Sequence, residues 1–330
     1  MSTDLQFDAN GNLRHLITLE GLGRERINAL LDRAVALRTA FADGARGPQL
    51  LAGRTIINLF FETSTRTRSS FELAARRLGA SVLNFDIASS STNKGESLED
   101  TLATLEAMQA DAFIVRHREN GTPARLAACA RRAAILNAGD GNHAHPTQGL
   151  LDALTIRDHH ADFSPLKVVI CGDIRHSRVA RSDVHVLSAL GVREIRLCGP
   201  TALMPKADDF PQCVLVDEFD AAIAGCDVVI MLRLQRERMI EALIGDEAEY
   251  FSRFGLTAQR LRQAGPDALV MHPGPMNRGV EIASDVADGW QSVILDQVAN
   301  GIPARMAVLA SLLGPDRAMP QASAAAASIP

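Results

Sequence analysis

The sequence is poor in most features that mark a specialised class. Its 330 residues hold one Trp and one Tyr, too few for an aromatic platform that stacks single-stranded nucleic acid. Positive charge is not in excess: 34 Lys and Arg stand against 39 Asp and Glu, a formal charge of −5. That balance excludes nucleic-acid binding by bulk charge, so any anion site must be a local cluster of cations. No apolar run approaches the roughly 18 residues that span a bilayer. The opening MSTDLQFDAN has neither the basic end nor the apolar core of a secretion signal. Five cysteines, Cys129, Cys171, Cys198, Cys213 and Cys226, form no CxxC pair. Such an odd, scattered set predicts reduced thiols in a cytoplasmic protein. The phosphate pattern GxxxxGK[ST] is absent, and Gly172 stands alone where GxGxxG would be needed for a dinucleotide.

What is present reads as an ordinary globular protein, 47% apolar and 22% charged, of about two domains at ~150 residues each. Short apolar runs alternate with helical patterns, the grammar of a parallel sheet. Strands are predicted near 54–60, 81–85, 111–115 and 133–137, and in a second series near 167–171, 193–198, 213–216, 227–232 and 268–271. Within 65–78, Phe71, Ala74, Ala75 and Leu78 recur at helical spacing, with Gly79 placed to end the helix. Leu98, Leu102 and Leu105 do the same in 96–110. Another helix starts near Pro146, and the polar stretch 157–165 after it is a plausible domain boundary. Two last helices are expected at about 290–300 and 302–313, and an Ala/Ser/Pro-rich tail at 315–330 is expected to be disordered. The fold class is therefore α/β, with two doubly wound parallel-sheet domains over 1–150 and 151–294. Helices in 295–314 are expected to return to the first domain, and the active site is expected between the domains. Ligands of such folds sit beyond the carboxyl ends of strands.

Four strand-end regions carry chemistry. Glu62-Thr-Ser-Thr-Arg-Thr-Arg68 follows a strand and opens a helix. Ser64, Thr65 and Thr67 offer hydroxyls, the helix start offers amides, and Arg66 and Arg68 offer permanent charge suited to phosphate. Two cations at a helix N-terminus oppose its dipole, so an anion is needed to explain them. The small, polar loop 88–96, with Lys94, is either a plain surface loop or one that closes over a ligand or reaches a neighbouring subunit. Strand 111–115 runs into Arg116-His-Arg118, and strand 133–137 runs through Gly139-Asp-Gly-Asn-His-Ala-His145 to Pro146-Thr-Gln148. Pro146 suits the first helical position, which brings His145 and Gln148 close, both able to hydrogen-bond a carbonyl or amide. His143 and His145 could instead be half of a metal site with Asp140 or Asp152, or a structural pair, although no third ligand follows at a usual offset. In the second half, strand ends lead into Gly172-Asp-Ile-Arg-His-Ser-Arg178, Arg233-Leu-Gln235 and His272-Pro-Gly-Pro275. Arg178 and Arg233, in equivalent positions, suggest a carboxylate clamp. Phosphate donor, polar middle and carboxylate acceptor together read as a two-substrate transfer without a covalent intermediate.

These strings resemble the aspartate/ornithine carbamoyltransferase family over about residues 14 to 313. The motifs that carry the resemblance are Phe61-Glu-Thr-Ser-Thr-Arg-Thr-Arg68, His145-Pro-Thr-Gln148 and His272-Pro-Gly-Pro275, in that order. Within the family the chain looks like the aspartate branch. It has His-Pro-Gly-Pro and Arg233-x-Gln235, where the ornithine branch has an HCLP turn and an SMG loop. The resemblance implies transfer of the carbamoyl group of carbamoyl phosphate to the amine of L-aspartate, an early step of pyrimidine synthesis, with no cofactor and no metal. It implies that Ser64, Thr65, Arg66 and Thr67 bind the phosphate. Thr67, Arg116 and His145 would contact the carbonyl oxygen. Gln148 and the Pro273-Gly274-Pro275 turn would hold the carbamoyl amine. Arg178, Arg233 and Gln235 would bind the two carboxylates of aspartate. Ser90, toward carbamoyl phosphate, and Lys94, toward aspartate, would come from a neighbouring subunit, making the enzyme a homotrimer with shared sites. Arg66, Thr67, Arg116 and His145 would be the catalytic set. The turn continues as Met276-Asn-Arg-Gly279, unlike the branch that carries separate zinc-bearing regulatory chains, so a dihydroorotase-like partner chain is the alternative expectation. Membrane and nucleic-acid partners are not expected.

Overall fold

The computed structural model describes residues 3–85, 95–234 and 246–315. The chain divides into two compact units. One holds the described residues up to Leu151 and from Asn300 onward, and the other spans Asp152–Ala299.

The first unit opens with α1 (Arg24–Ala40) and then alternates β1 (Thr55–Phe60), α2 (Thr65–Arg77), β2 (Ser81–Asn84), α3 (Leu98–Ala107), β3 (Ala112–His117), α4 (Thr122–Cys129), β4 (Ala134–Asp140) and α5 (Pro146–His159). Local chemistry explains the boundaries. Phe71, Ala74 and Ala75 form the buried stripe of α2, and the chain leaves that helix through Gly79 at φ 88°, a conformation that glycine adopts without a Cβ clash. Ser97 caps α3 by accepting the Asp100 amide at 3.0 Å, with Glu99 and Asp100 favourably placed in the first turn. All strand pairs are parallel, in the order β2-β1-β3-β4. Ile57, Leu59, Phe113, Val115, Leu126 and Ile135 pack into one core on this sheet. The order reverses between β1 and β3, so the loops leaving those two strands flank the place where such sheets bind ligands.

The second unit contains β5 (Lys167–Cys171), α6 (Arg178–Leu190), β6 (Glu194–Cys198), β7 (Val214–Val216), α7 (Phe219–Ile223), β8 (Val228–Met231), α8 (Glu247–Phe254), α9 (Ala258–Leu261), β9 (Leu269–Met271) and α10 (Ser284–Ala287). Its sheet is also parallel, ordered β7-β6-β5-β8-β9. Val169, Val229, Val270, Phe219 and Tyr250 share its core. Here the reversal falls between β5 and β8.

Two expectations change. The last helix is one element, α11 (Ile294–Leu313), not two, and Pro303 lies inside it. An interior proline removes a helical hydrogen bond and ordinarily breaks the element. Burial on the far side of Pro303 outweighs that loss here: Ala304 and Met306 to Ala310 are nearly inaccessible. Arg305, also buried, donates from Nη1 to the Gly301 carbonyl at 2.9 Å and lies 4.9 Å above the Phe71 ring. The second change is that β3 and β4 run past their predicted ends, so Arg116 and His117 are strand residues. A register shift between Val115 and His117 pairs His117 with Asp140. The division between the units falls inside α5 and α11.

Candidate active site

In the first unit the loop after β1 and the end of β3 are joined at close range. The Phe61 amide donates to the Arg116 carbonyl at 2.8 Å. Glu62 Oε2 lies 3.2 Å from Arg116 Nε, and Arg116 Nη1 donates to the Ala138 carbonyl on β4 at 3.1 Å. Arg116 is thus anchored at the carboxyl ends of three strands, with 13% of its side chain exposed. His117 is held differently: its Nδ1 accepts the Glu119 amide at 3.0 Å, and its ring meets Phe61 edge-on at 5.1 Å.

Two residues after Glu62, Ser64 stands at the N-cap of α2 without using its hydroxyl as a cap, and the first turn has no acidic residue. Thr67 is largely buried, whereas Thr65, Arg66 and Arg68 are exposed. Helix-start amides, hydroxyls and guanidinium groups therefore lie on one short segment, the composition of an anion cradle.

Beyond β4, Asp140 organises the approach to α5. Its Oδ1 accepts the Gly121 amide at 2.8 Å and its Oδ2 faces His143 Nδ1 at 3.0 Å. His143 is thereby engaged as a loop brace. Among the described residues, no group of three His, Cys, Asp or Glu is arranged to hold a metal ion. Asn137 adds a second brace, donating to the Ile17 carbonyl at 2.8 Å and accepting the Gly139 amide at 2.8 Å. The chain enters α5 at His145, whose carbonyl accepts the Gln148 amide at 2.9 Å. Both side chains are buried.

In the second unit, the loops that leave the adjacent strands β5 and β8 carry the two arginines. Gly172, at φ 135°, lets these loops touch, because a Cβ there would sit 3.0 Å from the Leu232 Cβ. Asp173 closes the turn by accepting from the His176 amide at 3.2 Å and by facing His176 Nδ1 at 2.9 Å. Ser177 then caps α6, and Arg178 is its first residue. Arg233 is exposed between the buried Leu232 and Leu234.

The turn after β9 is built around a fully buried histidine. His272 Nδ1 accepts the Gly274 amide at 2.8 Å, so the proton sits on Nε2, which donates to Glu281 Oε1 at 3.2 Å. The same Glu281 oxygen accepts the Asn277 amide at 2.5 Å. Asn277 Nδ2 donates to the Leu234 carbonyl at 3.3 Å, beside Arg233. Gly274 takes φ 65°, a left-handed conformation that a side chain would strain. Ser90, Lys94 and Gln235 lie outside the described residues.

The structure therefore groups Ser64, Thr65, Arg66, Thr67 and Arg116 at one sheet's switch point, with His145 and Gln148 at the start of α5. It groups Arg178 and Arg233 at the other sheet's switch point, and Pro273, Gly274 and Pro275 at the end of the neighbouring strand. Sequence reading passed over Glu62, Asn137, Asn277, Glu281 and Gln297. Glu62 stands inside the quoted first motif and Asn277 inside the quoted turn, but their partners are remote in sequence.

A family model for the carbamoyl-P binding domain of aspartate/ornithine carbamoyltransferases matches residues 14–158, and one for the Asp/Orn binding domain matches 164–312. The aspartate carbamoyltransferase catalytic subunit of Stenotrophomonas maltophilia (strain R551-3) is 58% identical over 316 residues, covering 94% of this chain and 100% of the relative. That of Xanthomonas campestris pv. campestris (strain B100) is 57% identical over 314 residues, with the same coverage. Among solved structures, Trypanosoma cruzi aspartate transcarbamoylase in complex with N-(phosphonacetyl)-L-aspartic acid aligns with a TM-score of 0.84 and 32% identity. It covers 94% of this chain and 99% of that one.

Proposed function

The chain belongs to the aspartate/ornithine carbamoyltransferase family, and from that premise we propose that it transfers the carbamoyl group of carbamoyl phosphate to the amine of L-aspartate. The products are N-carbamoyl-L-aspartate and phosphate, which places the reaction early in pyrimidine synthesis. One observation carries the choice of acceptor. Two guanidinium-bearing loops leave adjacent strands at the switch point of the second sheet. A dicarboxylate is held by two such groups, and a cationic amino acid is repelled.

The assignments follow the chemistry of each group. The α2 N-terminus, with Ser64, Thr65, Arg66 and Thr67, takes the phosphate. Thr67, Arg116 and His145 face the carbamoyl oxygen, where negative charge develops when the neutral amine of aspartate attacks the carbamoyl carbon. One donor aimed at such an oxygen is typically worth ~10²–10³ in rate. Gln148 and the carbonyls of the Pro273-Gly274-Pro275 turn hold the carbamoyl amine. Arg178, Arg233 and Gln235 hold the carboxylates. The new bond is N–C and the broken bond is C–O to phosphorus. The amine proton passes to the departing phosphate, whose charge Arg66 and Lys94 offset. Arginine stays protonated and does not serve as the base.

Lys94 and Ser90 act from a neighbouring copy in a homotrimer on this reading. A further chain, dihydroorotase-like or regulatory, is compatible with the catalytic-subunit designation of the relatives. No helix among the described residues is long and apolar enough to cross a membrane. The buried thiols Cys171, Cys198 and Cys226 suit the reducing cytoplasm to which the proposed reaction assigns the chain.

The test is a product assay on the purified chain with a chelator present, supplying carbamoyl phosphate with aspartate and, separately, with ornithine. Carbamoyl-aspartate alone is the expected product. Carbamoylation of ornithine would overturn the clamp formed by Arg178 and Arg233.

A further inference from the structure

One hydrogen-bonded array in the second unit makes no contact assigned to a substrate, yet it ends on the turn assigned to the carbamoyl amine. Gln297, buried on α11, uses both ends of its amide. Its Oε1 accepts the His272 backbone amide at 2.8 Å, and its Nε2 donates to Asp152 Oδ1 at 2.6 Å. Asp152 lies on α5, two turns beyond His145. Facing it from α6 is Asp183, which is fully inaccessible and whose two oxygens have no donor in the protein as a carboxylate. Burial and the neighbouring Asp152 hold the Asp183 carboxyl far above the usual carboxylate range. One proton held between the two carboxyls joins an Asp183 oxygen to Asp152. Two buried like charges would otherwise face each other.

We propose that Asp183, Asp152 and Gln297 are positioning residues: together they set the placement of the His272-Pro273-Gly274 turn, and through it the carbonyls that hold the carbamoyl amine. The array is an alternation of donors and acceptors in which each link fixes the next: Gln297 amide to Asp152, His272 amide to Gln297, Gly274 amide to His272 Nδ1, with Asp183 set against Asp152 at its far end. Only one orientation of the Gln297 amide satisfies both ends. This orientation depends on Asp152 presenting an acceptor oxygen to Gln297 Nε2, and a donor on Asp183 fixes which Asp152 oxygen is left to do so. An apolar pair would fill the same volume, so packing alone does not call for two carboxyl groups here.

The inference rests on the assignment of the turn to carbamoyl phosphate, and the experiment separates the two. Gln297→Glu keeps the acceptor for His272 and replaces the donor facing Asp152 with an acidic group. Of the titratable groups on the elements that meet Gln297, Asp152 on α5 bonds it directly, His272 at the turn bonds it through its backbone amide, Asp183 on α6 lies beyond Asp152, and Glu281 lies beyond His272. At about pH 8.5 the introduced carboxylate opposes Asp152. At about pH 6 it takes up a proton, because burial beside Asp152 raises its pKa, and it again donates. A displacement of about 1 Å at a reacting group costs about 10²-fold in rate. The expected result is therefore kcat about 10²-fold below the native chain at the higher pH, recovering to within about tenfold at the lower, with the KM for aspartate within about twofold throughout. Asp183→Leu, measured on the folded fraction, should lose rate, and Asp183→Asn, which keeps a donor toward Asp152, should restore most of it. Native-like kcat in Gln297→Glu at both pH values would overturn the array. So would equal loss in Asp183→Leu and Asp183→Asn. If Gln297→Glu does not fold, the Asp183 pair decides alone. Failure of the native chain to carbamoylate aspartate would refute the assigned reaction instead, a separate outcome.

Discussion

Replacing Arg116 with methionine removes the guanidinium and keeps an apolar stem of similar reach. The strand survives the change, because the backbone carbonyl of residue 116 still accepts the Phe61 amide. The side-chain interactions that disappear include the donation to the Ala138 carbonyl at 3.1 Å and the ion pair with Glu62 at 3.2 Å. A hydrogen bond from a charged group contributes about 1.5–3 kcal/mol. The ion pair contributes less, since 27% of the Glu62 side chain is exposed and water screens it. The folded state should lose about 2 kcal/mol in sum, leaving a folded chain. The effect on rate should be larger. If Arg116 faces the oxygen on which charge develops, its loss lowers kcat by about 10²–10³, or about 3–4 kcal/mol of transition-state stabilisation. The measurement is steady-state kinetics for both substrates, paired with urea unfolding of the same preparation. A kcat within about threefold of the native value, in a variant shown to be folded, would refute the role given to Arg116. A loss of kcat that merely tracked the unfolded fraction would refute it equally.

Three further outcomes can be checked. His15 is buried, accepts the Ile135 amide at 2.9 Å and has its pKa pushed down from 6.5 to about 4 by burial and by Arg14. The unfolded chain then binds the proton first, so this group's contribution to stability is lost as pH falls from about 6.5 to about 4 and amounts to roughly 3 kcal/mol. His15→Asn, which keeps an acceptor, should flatten that part of the stability-versus-pH curve in denaturant titrations, and an unchanged slope would contradict it. Arg233→Ala should raise the KM for aspartate by about tenfold or more, one lost charged hydrogen-bond pair, with carbamoyl phosphate binding little changed; unaltered aspartate isotherms would remove Arg233 from the clamp. Chains carrying Lys94→Ala, mixed after dissociation with chains carrying Arg66→Ala, should regain activity if neighbouring copies share sites, and silence of every mixture would argue for self-contained sites.

Much of the fold was legible because its determinants are local. Alternating apolar runs placed every described strand to within a few residues, and Gly79 marked where the helix over 65–78 stops. The proposed site rests on signals of the same local kind: the hydroxyl- and arginine-bearing helix start, the Pro146 helix start and the arginines after strands are patterns within a few residues of chain. Pro303 misled for the same reason. Its local preference breaks a helix, and burial of Ala304 to Ala310 on the opposite side, a tertiary effect, overrode it. The ends of β3 and β4 were missed because the pairing of His117 with Asp140 joins separate strands.

The sequence by itself determined the classes of element, their order, and which short segments carry the hydroxyl, amide and guanidinium groups proposed to hold phosphate and carboxylate. Tertiary structure alone decided which segments become neighbours. Strand order put Glu62 and Phe61 against Arg116, and it put the Arg178 loop beside the Arg233 loop. Packing of helices put Gln297 against Asp152, 145 residues away. Backbone preferences and side-chain periodicity act over a few residues, whereas a buried donor finds its acceptor only once the chain has chosen how its strands are ordered and which faces its helices bury.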